Sequence, residues 1–266
     1  MDHRLSPELE ELRRTVEEFA HDVVAPKIGD FYERHEFPYE IVREMGRMGL
    51  FGLPFPEEYG GMGGDYLALG LVLEELARVD SSVAITLEAG VSLGAMPIHL
   101  FGTDAQKAEW LPRLCSGEIL GAFGLTEPDG GSDAGATRTT ARLDPDTDEW
   151  VINGSKCFIT NSGTDITGLV TVTAVTGRKP DGKPLISSII VPSGTPASPS
   201  RRRTRRSAGT PRTPASCPSR TSASRRPTCW ANRAAATPSS SASWTRAASP
   251  SRRSRPVSRR AVSTSR

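Results

Sequence analysis

The chain has 266 residues and a net charge of +2, but its charges are divided unevenly. Residues 198–266 contain 17 Arg and no Lys, Asp, Glu or His, whereas residues 1–197 carry 31 acidic and 16 basic side chains. Arg, Ser, Ala, Pro and Thr make up 61 of those last 69 residues, so they offer almost no apolar surface to bury. This composition excludes a single globular domain of 266 residues.

Three other classes of protein also fit the sequence poorly. No run of 18 apolar residues is present, so we expect no membrane span. The first eight residues become acidic at once and lack the apolar core of a secretory signal. The four cysteines have neither the close pairing of a disulfide framework nor the spacing of metal ligands, which indicates unpaired thiols in a reducing compartment. We therefore expect a soluble, cytoplasmic protein without a metal site.

The first 120 residues are predicted to form a helical domain. Ser6 before Pro7 is typical of an N-cap followed by proline at the first helical position. An apolar stripe with helical spacing follows, and Pro26 is expected to end that helix. A short helix is predicted at Tyr39–Met48, and the glycine-rich segment Gly49–Gly64 is predicted to be a loop.

Three more helices are predicted to complete this domain. Helical spacing resumes from Leu67 to Val79, and the segment Ser81–Leu100 is apolar nearly all round, as in a buried helix. Thr103 is predicted to cap a last helix that extends through Leu114. Pro112 in this helix predicts a kink or an early end.

After Gly121 the sequence changes to short segments rich in β-branched residues, separated by turn residues. Residues 121–197 are therefore predicted to form an antiparallel β domain that is incomplete. Asn153-Gly154 between two such segments is typical of a two-residue hairpin. Helices followed by strands favour an α+β protein over a parallel βαβ sheet. The predicted strands are Thr137–Leu143, Trp150–Ile152, Lys156–Thr160, Leu169–Val175 and Leu185–Val191.

The segment from Gly124 to Asp133 carries the most chemical information. It reads Gly-Leu-Thr-Glu-Pro-Asp-Gly-Gly-Ser-Asp. Its glycines allow the backbone to approach a phosphate, consecutive amides can bind an anion, and Thr126 and Ser132 add hydroxyl donors. A simple surface turn also accounts for these residues. A Rossmann phosphate loop does not fit, because no G-x-G-x-x-G follows a strand and opens a helix.

The stretch from Gly124 to Ala136 resembles the signature of the acyl-CoA dehydrogenase family of flavoproteins. That signature reads Gly-aliphatic-Ser/Thr-Glu-x-x-Gly-Gly-Ser/Thr-Asp-x-x-small, and the chain fits it at every required position. About 25 residues later the family has an Asn-Gly hairpin and then an aromatic/aliphatic-Ile-Thr-Asn segment. Asn153-Gly154 and Phe158–Asn161 are similar to these two features.

Two earlier segments extend the resemblance to about residues 1–197. Pro56–Gly61 is similar to the family's Pro-x-x-Tyr-Gly-Gly loop, and residues 93–107 are similar to the helix pair that precedes the signature. The resemblance implies FAD as cofactor, an acyl-CoA thioester as substrate and electron-transfer flavoprotein as electron acceptor. It also implies a homotetramer for intact relatives, built largely through their C-terminal helices.

The resemblance further implies which residues touch these ligands. The flavin ring is implied to lie along Phe123, Leu125 and Thr126, with a hydrogen bond from Thr126. The cofactor pyrophosphate and the coenzyme A arm are implied to lie near Gly131 and Ser132. The opposite side of the flavin is implied to be covered by Phe158, Ile159 and Thr160. Ser132 is also implied to bind the substrate. For Phe123 and Phe158, a place in an ordinary apolar core is the alternative.

The implied reaction is α,β-dehydrogenation of an acyl-CoA thioester, in which a carboxylate removes the α-proton while hydride passes to the flavin. In the family this carboxylate lies in a C-terminal helical domain, and residues 198–266 contain no acidic residue. Glu127 belongs to the signature, and Glu88 is expected on a buried helix at the bottom of the acyl pocket. Neither is assigned as the base, so no catalytic residue is assigned.

Three interpretations of residues 198–266 are open: an Arg-rich disordered arm that binds nucleic acid, a solvated linker, or out-of-frame translation of a GC-rich gene. A shift of the reading frame by one base is compatible with these residues. Tryptophan has a single codon, TGG, and its last base read with the first two bases of the next codon gives Gly at Trp230 and Asp at Trp244. A frameshift near Ala197 is favoured. It predicts a disordered tail on a truncated, inactive chain. Flavin binding is expected to be weak or absent, because in the family the C-terminal domain and a neighbouring subunit help to bind the adenosine part of the cofactor. The alternative from another class is a non-enzymatic protein that binds nucleic acid through its tail.

Overall fold

The computed structural model describes residues 4–146, 148–195, 215–217 and 221–222. Within these residues a helical part precedes a β part, which confirms the predicted α+β class. The helices are α1 (Pro7–Phe19), α2 (Ala25–Arg34), α3 (Tyr39–Arg47), α4 (Tyr66–Val79), α5 (Ser81–Glu88), α6 (Met96–Phe101) and α7 (Asp104–Cys115).

The two predicted helix caps are confirmed. The Ser6 hydroxyl accepts the Leu9 N–H at 3.4 Å, with Pro7 in the first helical turn. Thr103 and Gln106 form a capping box at the start of α7, in which each side chain accepts the other residue's backbone N–H. Such caps satisfy amides that have no partner inside the helix.

The predicted helix end at Pro26 is wrong. A π-helical turn, Ala20–Val24, joins α1 to α2, and the chain stays helical to Arg34. Pro26 lies in the first turn of α2, where its missing N–H removes no hydrogen bond of that helix. The segment ends instead at His35, which has a left-handed backbone. Pro112 likewise lies inside α7, which ends only one turn later.

The predicted buried helix is confirmed as a continuous segment of α5, a π-helical turn (Ala89–Ala95) and α6. It is long and apolar enough to cross a membrane, but two thirds of its most apolar stretch is buried inside the protein, as in a core helix. Gly94 in the π-helical turn contacts Gly121 so closely that a Cβ on Gly94 would lie 2.8 Å from the Gly121 backbone. The two glycines therefore let the helical part pack directly on the first strand.

Eight strands form one six-stranded and one two-stranded sheet within the described residues. The larger sheet has the order β1-β5-β2-β3-β8, with β6 also paired to β5, and the smaller one joins β4 to β7. The strands are β1 (Leu120–Gly124), β2 (Thr140–Asp144), β3 (Glu149–Asn153), β4 (Lys156–Ile159), β5 (Thr167–Arg178), β6 (Pro184–Pro192), β7 (Ala215–Cys217) and β8 (Thr221–Ser222).

The larger sheet is mixed rather than purely antiparallel as predicted. Its strands β1 and β2 run parallel to β5, whereas β6 runs antiparallel to β5 along nine residue pairs. A parallel pair needs a long connection, and here β1 reaches β5 only after the chain has passed through β2, β3 and β4. The local strand pattern predicts the segments but carries no information about such non-local pairing.

The predicted hairpin at Asn153-Gly154 is also wrong. β3 pairs with β2, whereas β4 lies in the smaller sheet. A two-residue hairpin turn of the Asn-Gly type needs positive φ at both central residues, and neither residue has it. A Cβ on Gly154 would overlap the side chain of Thr139. Gly154 therefore allows the chain to pass close to Thr139 as it crosses from one sheet to the other.

Apart from the backbone of β7 and β8, the predicted tail 198–266 lies outside the described residues. The prediction that it is disordered therefore stays a prediction. The same holds for the domain limits at residues 120 and 197.

Candidate functional site

The signature segment begins at the end of β1 and lies beside β4. The Cys157 N–H donates to the Thr126 carbonyl at 2.9 Å. This bond brings together the two segments that the resemblance assigned to the flavin: Leu125 and Thr126 on one side, and residues 158–160 on the other. The strand β1, which carries Phe123, was not among the predicted strands.

A buried lysine ties the two segments together. Lys156 on β4 is only 2 % exposed, and its ammonium donates to the Leu125 carbonyl at 3.0 Å, to Glu127 Oε1 at 2.8 Å and to Thr173 Oγ1 at 2.9 Å. A buried ammonium needs such acceptors, because an unpaired charge in the interior is strongly unfavourable. Lys156 was not among the predicted site residues, because a lysine in a strand is ordinarily expected on the solvent side.

Glu127 uses its carboxylate to close the loop that follows it. Oε2 accepts the Arg138 N–H at 2.8 Å, and Oε1 accepts the Thr139 N–H at 2.9 Å as well as the Lys156 ammonium. Residues 128–137, here called the signature loop, are thus held at both ends by one carboxylate. Burial alone would raise the pKa of Glu127, but the hydrogen bonds from Lys156, Thr139 and Arg138 lower it to about 2.

These contacts explain why Glu127 is unsuited to act as a general base. A carboxylate with a pKa of about 2 holds a proton weakly at neutral pH, and both of its oxygens already accept hydrogen bonds. Glu88, at the end of α5, differs: burial raises its pKa, and a hydrogen bond with Ser92 lowers it by less. That neither residue is the base stays a prediction.

The signature loop itself is open to solvent. Its first turn is closed by the Glu127 N–H, which donates to the Gly130 carbonyl at 2.8 Å, while Gly131 and Ser132 are exposed. A shallow, open hollow lies on the loop, lined by Leu125, Glu127 and several loop residues. The loop therefore presents backbone and a serine hydroxyl to a ligand.

Three of the predicted ligand-binding hydroxyls are available to a ligand. Within residues 4–146 and 148–195, the hydroxyls of Thr126, Ser132 and Thr160 make no hydrogen bond to the protein. Thr126 and Thr160 are half-buried, and Ser132 is exposed. A half-buried hydroxyl usually has a partner, so these two positions fit a ligand that supplies hydrogen-bond acceptors.

The predicted apolar contacts divide into an exposed and a buried class. Phe158 is 63 % exposed with a φ of +58°, a conformation that bulky residues rarely adopt, so it is not an ordinary core aromatic. Phe123 and Leu125 are half-buried. Ile159 is 1 % exposed and packs within the sheet core, beside Gly124. The cofactor contact implied for Ile159 stays a prediction.

The second segment is anchored to the helical part. Asn161, which has a φ of +65°, donates from its side-chain amide to the Thr86 carbonyl on α5 at 2.9 Å. The Asp165 N–H donates to the Tyr39 hydroxyl on α3 at 3.0 Å. These bonds fix the position of residues 158–160 relative to the helices, so the site is held by both parts of the protein.

The chain is similar to known proteins over most of its length. The family model described as "Acyl-CoA dehydrogenase, N-terminal domain" matches residues 6–118, and the one described as "Acyl-CoA dehydrogenase, middle domain" matches residues 122–220, past the predicted limit at 197. A probable acyl-CoA dehydrogenase of Bacillus subtilis is 47 % identical over 196 residues, which are 74 % of this chain and 50 % of that protein. The chain spans about half the length of the curated relatives it matches.

Two solved structures share the fold at substantial sequence identity. A chain in the structure of the electron transferring flavoprotein of Acidaminococcus fermentans has a TM-score of 0.78 and 36 % identity, covering 86 % of this chain and 59 % of that one. An acyl-CoA dehydrogenase complexed with FAD, from Bacillus anthracis, has a TM-score of 0.68 and 34 % identity, covering 82 % of this chain and 36 % of that one.

Proposed function

Because the chain belongs to the acyl-CoA dehydrogenase family, we propose that its signature segment and residues 158–160 bind FAD and the thioester end of an acyl-CoA. The observation that carries this proposal is the set of three hydroxyls, on Thr126, Ser132 and Thr160, that have no hydrogen-bond partner among residues 4–146 and 148–195. They lie on two segments that a backbone hydrogen bond and Lys156 hold side by side.

The residues present fit a flat aromatic cofactor. A ring site needs an apolar slot with a few placed donors. Leu125 and Phe123 supply half-buried apolar surface, Phe158 supplies an exposed ring, and Thr126 and Thr160 supply hydroxyls. Bound FAD supplies the hydride acceptor for oxidation of the acyl chain. The protein's part is to orient the ring, to donate hydrogen bonds to it and to exclude water from one side.

The proton-abstracting carboxylate is proposed to lie outside residues 4–195. Glu127 is fully engaged in the signature loop and keeps a pKa of about 2. Residues 198–266 contain neither a carboxylate nor a histidine. We therefore propose that the 266-residue chain does not turn over acyl-CoA, and that the tail is an out-of-frame translation. The homotetramer and the electron-transfer flavoprotein as acceptor are proposed from the same resemblance, and the cytoplasmic location is proposed from the cysteine pattern.

The experiment that tests the binding proposal is a titration of FAD into the purified 266-residue chain, followed by flavin fluorescence. We expect quenching that is weak but saturable at high FAD concentration, and that is weaker still in Thr126→Val. The matched control is Thr15→Val, which alters an exposed hydroxyl on α1 that bonds only to the Glu11 carbonyl. Absence of binding at every FAD concentration, combined with salt-dependent retention on DNA, would favour the alternative of a nucleic-acid-binding protein, which the 17 arginines of the tail suggest.

A further inference from the structure

We propose that Lys156 is a positioning residue: through Glu127 it holds the signature loop in its ligand-ready form before any ligand binds. The identity of the ligand rests on the proposed function. The closure of the loop rests only on contacts between described residues.

The ammonium of Lys156 joins three separate parts of the β region. Its hydrogen bonds go to the Leu125 carbonyl just before the signature loop, to the Glu127 carboxylate and to the Thr173 hydroxyl on β5. Since Lys156 is 2 % exposed, water is not available to replace these partners. The position of the ammonium is therefore fixed by the sheet, and the start of the loop is fixed to it.

Glu127 carries this constraint to the other end of the loop. Its carboxylate accepts the backbone N–H groups of Arg138 and Thr139, which lie 11 and 12 residues further along the chain. One buried ion pair thus connects the residue before the loop to the two residues after it. A loop whose ends are closed on folding loses less conformational freedom when a ligand binds, and this is how preorganisation raises affinity.

Removal of the lysine affects more than one hydrogen bond. Without the ammonium, the Glu127 carboxylate is a buried charge whose cation is missing, and such a group is strongly destabilising until it takes up a proton or moves toward water. Either response withdraws an oxygen from Arg138 N–H or Thr139 N–H. Lys156→Met is therefore expected to open the far end of the loop, which begins 11 residues after Glu127 in the sequence but is adjacent to it in the fold.

The chain offers a matched control for charge. Arg138 also pairs with a carboxylate of the loop, Asp129, at 2.9 Å, but both side chains are exposed. Exposed pairs contribute little to stability. Arg138→Ala removes one positive charge at the same loop and keeps the backbone N–H that Glu127 accepts. It is expected to leave the loop closed.

The test is hydrogen–deuterium exchange of the full 266-residue chain, read by mass spectrometry. In Lys156→Met we expect the amides of Arg138 and Thr139 to exchange about tenfold faster, the factor typical of a lost buried hydrogen bond. Peptides from α4 and α7 should keep the protection they have in the unmodified chain, and Arg138→Ala should match the unmodified chain throughout. Unchanged exchange at Arg138 and Thr139 in a folded Lys156→Met chain would overturn the proposal.

A second variant covers the case in which Lys156→Met does not fold. Lys156→Met combined with Glu127→Gln removes both charges, so no unpaired buried ion remains. A glutamine has one acceptor oxygen where the carboxylate has two. Its NH₂ group therefore faces a backbone N–H, of Arg138 or Thr139, from which it cannot accept a hydrogen bond. We expect this chain to fold with the same faster exchange at the loop end. A folded double variant whose loop end is as protected as in the unmodified chain would contradict the role given to the pair.

A second arm with added FAD separates this inference from the proposed function. FAD is expected to slow exchange in residues 126–139 of the unmodified chain and to do so much less in Lys156→Met. If Lys156→Met opens the loop but FAD protects neither chain, the positioning role stands and the proposed function fails. If FAD protects both chains equally, the loop binds its ligand without help from Lys156, and the inference fails while the proposed function stands.

Discussion

Gly94 and Gly121 are in backbone contact at the point where the helical part meets the first strand of the sheet. A Cβ on Gly94 would lie 2.8 Å from the Gly121 backbone, closer than such atoms approach one another. Gly94 belongs to the π-helical turn between α5 and α6, and Gly121 belongs to β1, whose end carries the signature segment. The position of the candidate site relative to the helices therefore depends on two residues that lack side chains.

Gly94→Ala is expected to destabilise the protein by about 1–3 kcal/mol, because the added methyl group must displace backbone rather than a flexible side chain. The matched control is Gly70→Ala on α4, where no heavy atom lies within 4 Å of the added carbon. That change is expected to be neutral or to stabilise by roughly 0.5–1 kcal/mol, since alanine favours a helix. Urea unfolding of both variants measures this, and equal effects would argue against the contact.

Glu127 should make the stability of the protein depend on pH in the acid range. Its pKa is about 2 in the folded protein against 4.5 ordinarily, so its contribution is fully present above pH 4.5 and is lost as the pH falls toward 2. The shift corresponds to on the order of 3 kcal/mol at neutral pH. Since Glu127→Gln does not titrate, its loss of stability relative to the unmodified chain should shrink as the pH is lowered from 6 to 3.

The matched control for this prediction is Glu118→Gln. Glu118 pairs with Arg113 at 2.7 Å, but both side chains are exposed, so its effect should be small across the whole range. Unfolding by urea at each pH gives both differences. A loss of stability in Glu127→Gln that is the same at pH 6 and pH 3 would show that the carboxylate is not held in its ionised form.

Thr126→Val should weaken flavin binding or alter the flavin's reduction potential in a protein whose reading frame is restored after Ala197. The substitution keeps the shape of the side chain and removes a half-buried hydroxyl that has no partner within the described residues. The expected loss is roughly 1–3 kcal/mol, the range for an unpaired buried group. Flavin affinity and reduction potential are measured together. If both are unchanged, Thr126 does not bind the ring.

Cys115 should resist alkylation in the folded protein. It is buried at the end of α7, and burial raises the pKa of its thiol to about 12, so almost no reactive thiolate is present at pH 8. Treatment with iodoacetamide followed by mass spectrometry should leave Cys115 unlabelled until denaturant is added. Rapid labelling of Cys115 in the absence of denaturant would indicate that the packing around α7 is looser than described.

The sequence was sufficient for features that depend on a few neighbouring residues. Ser6 and Thr103 cap helices as expected, because capping depends on side chains within one turn. The signature stretch was likewise identified from consecutive residues, and the middle-domain family model covers it. The helix end predicted at Pro26 is wrong because a π-helical turn before this residue starts a new helical register, and the sequence pattern does not show such a turn.

The remaining errors concern contacts between distant parts of the chain. Asn153-Gly154 has the composition of a hairpin turn, yet tertiary packing against Thr139 decides its backbone. Lys156 carries the central ion pair of the site, but a lysine in a strand is ordinarily placed on the solvent side. Its buried position follows from Glu127 and Thr173, whose proximity to it depends on the sheet order. Such partners become visible only when the strand pairing is known.

The nucleotide sequence around the codons for Pro196–Ser200 tests the proposed origin of the tail. We expect that a single added or missing base restores a frame whose translation contains acidic and apolar residues in helical spacing. Trp230 and Trp244 then give Gly and Asp, because tryptophan has one codon. A confirmed sequence in which the present frame is the only open one would instead support an arginine-rich arm or linker.

We propose that residues 4–195 form the FAD and acyl-CoA site of an acyl-CoA dehydrogenase, and that its proton-abstracting carboxylate lies outside them. The most direct measurement is acyl-CoA-dependent reduction of an artificial electron acceptor, made on the mass-verified 266-residue chain and on the frame-restored chain. We predict no turnover by the first, because residues 198–266 supply no base, and turnover with bound flavin by the second. Turnover by the 266-residue chain at an enzymatic rate, or a folded frame-restored chain that neither binds flavin nor reduces the acceptor, would show that this proposal is wrong.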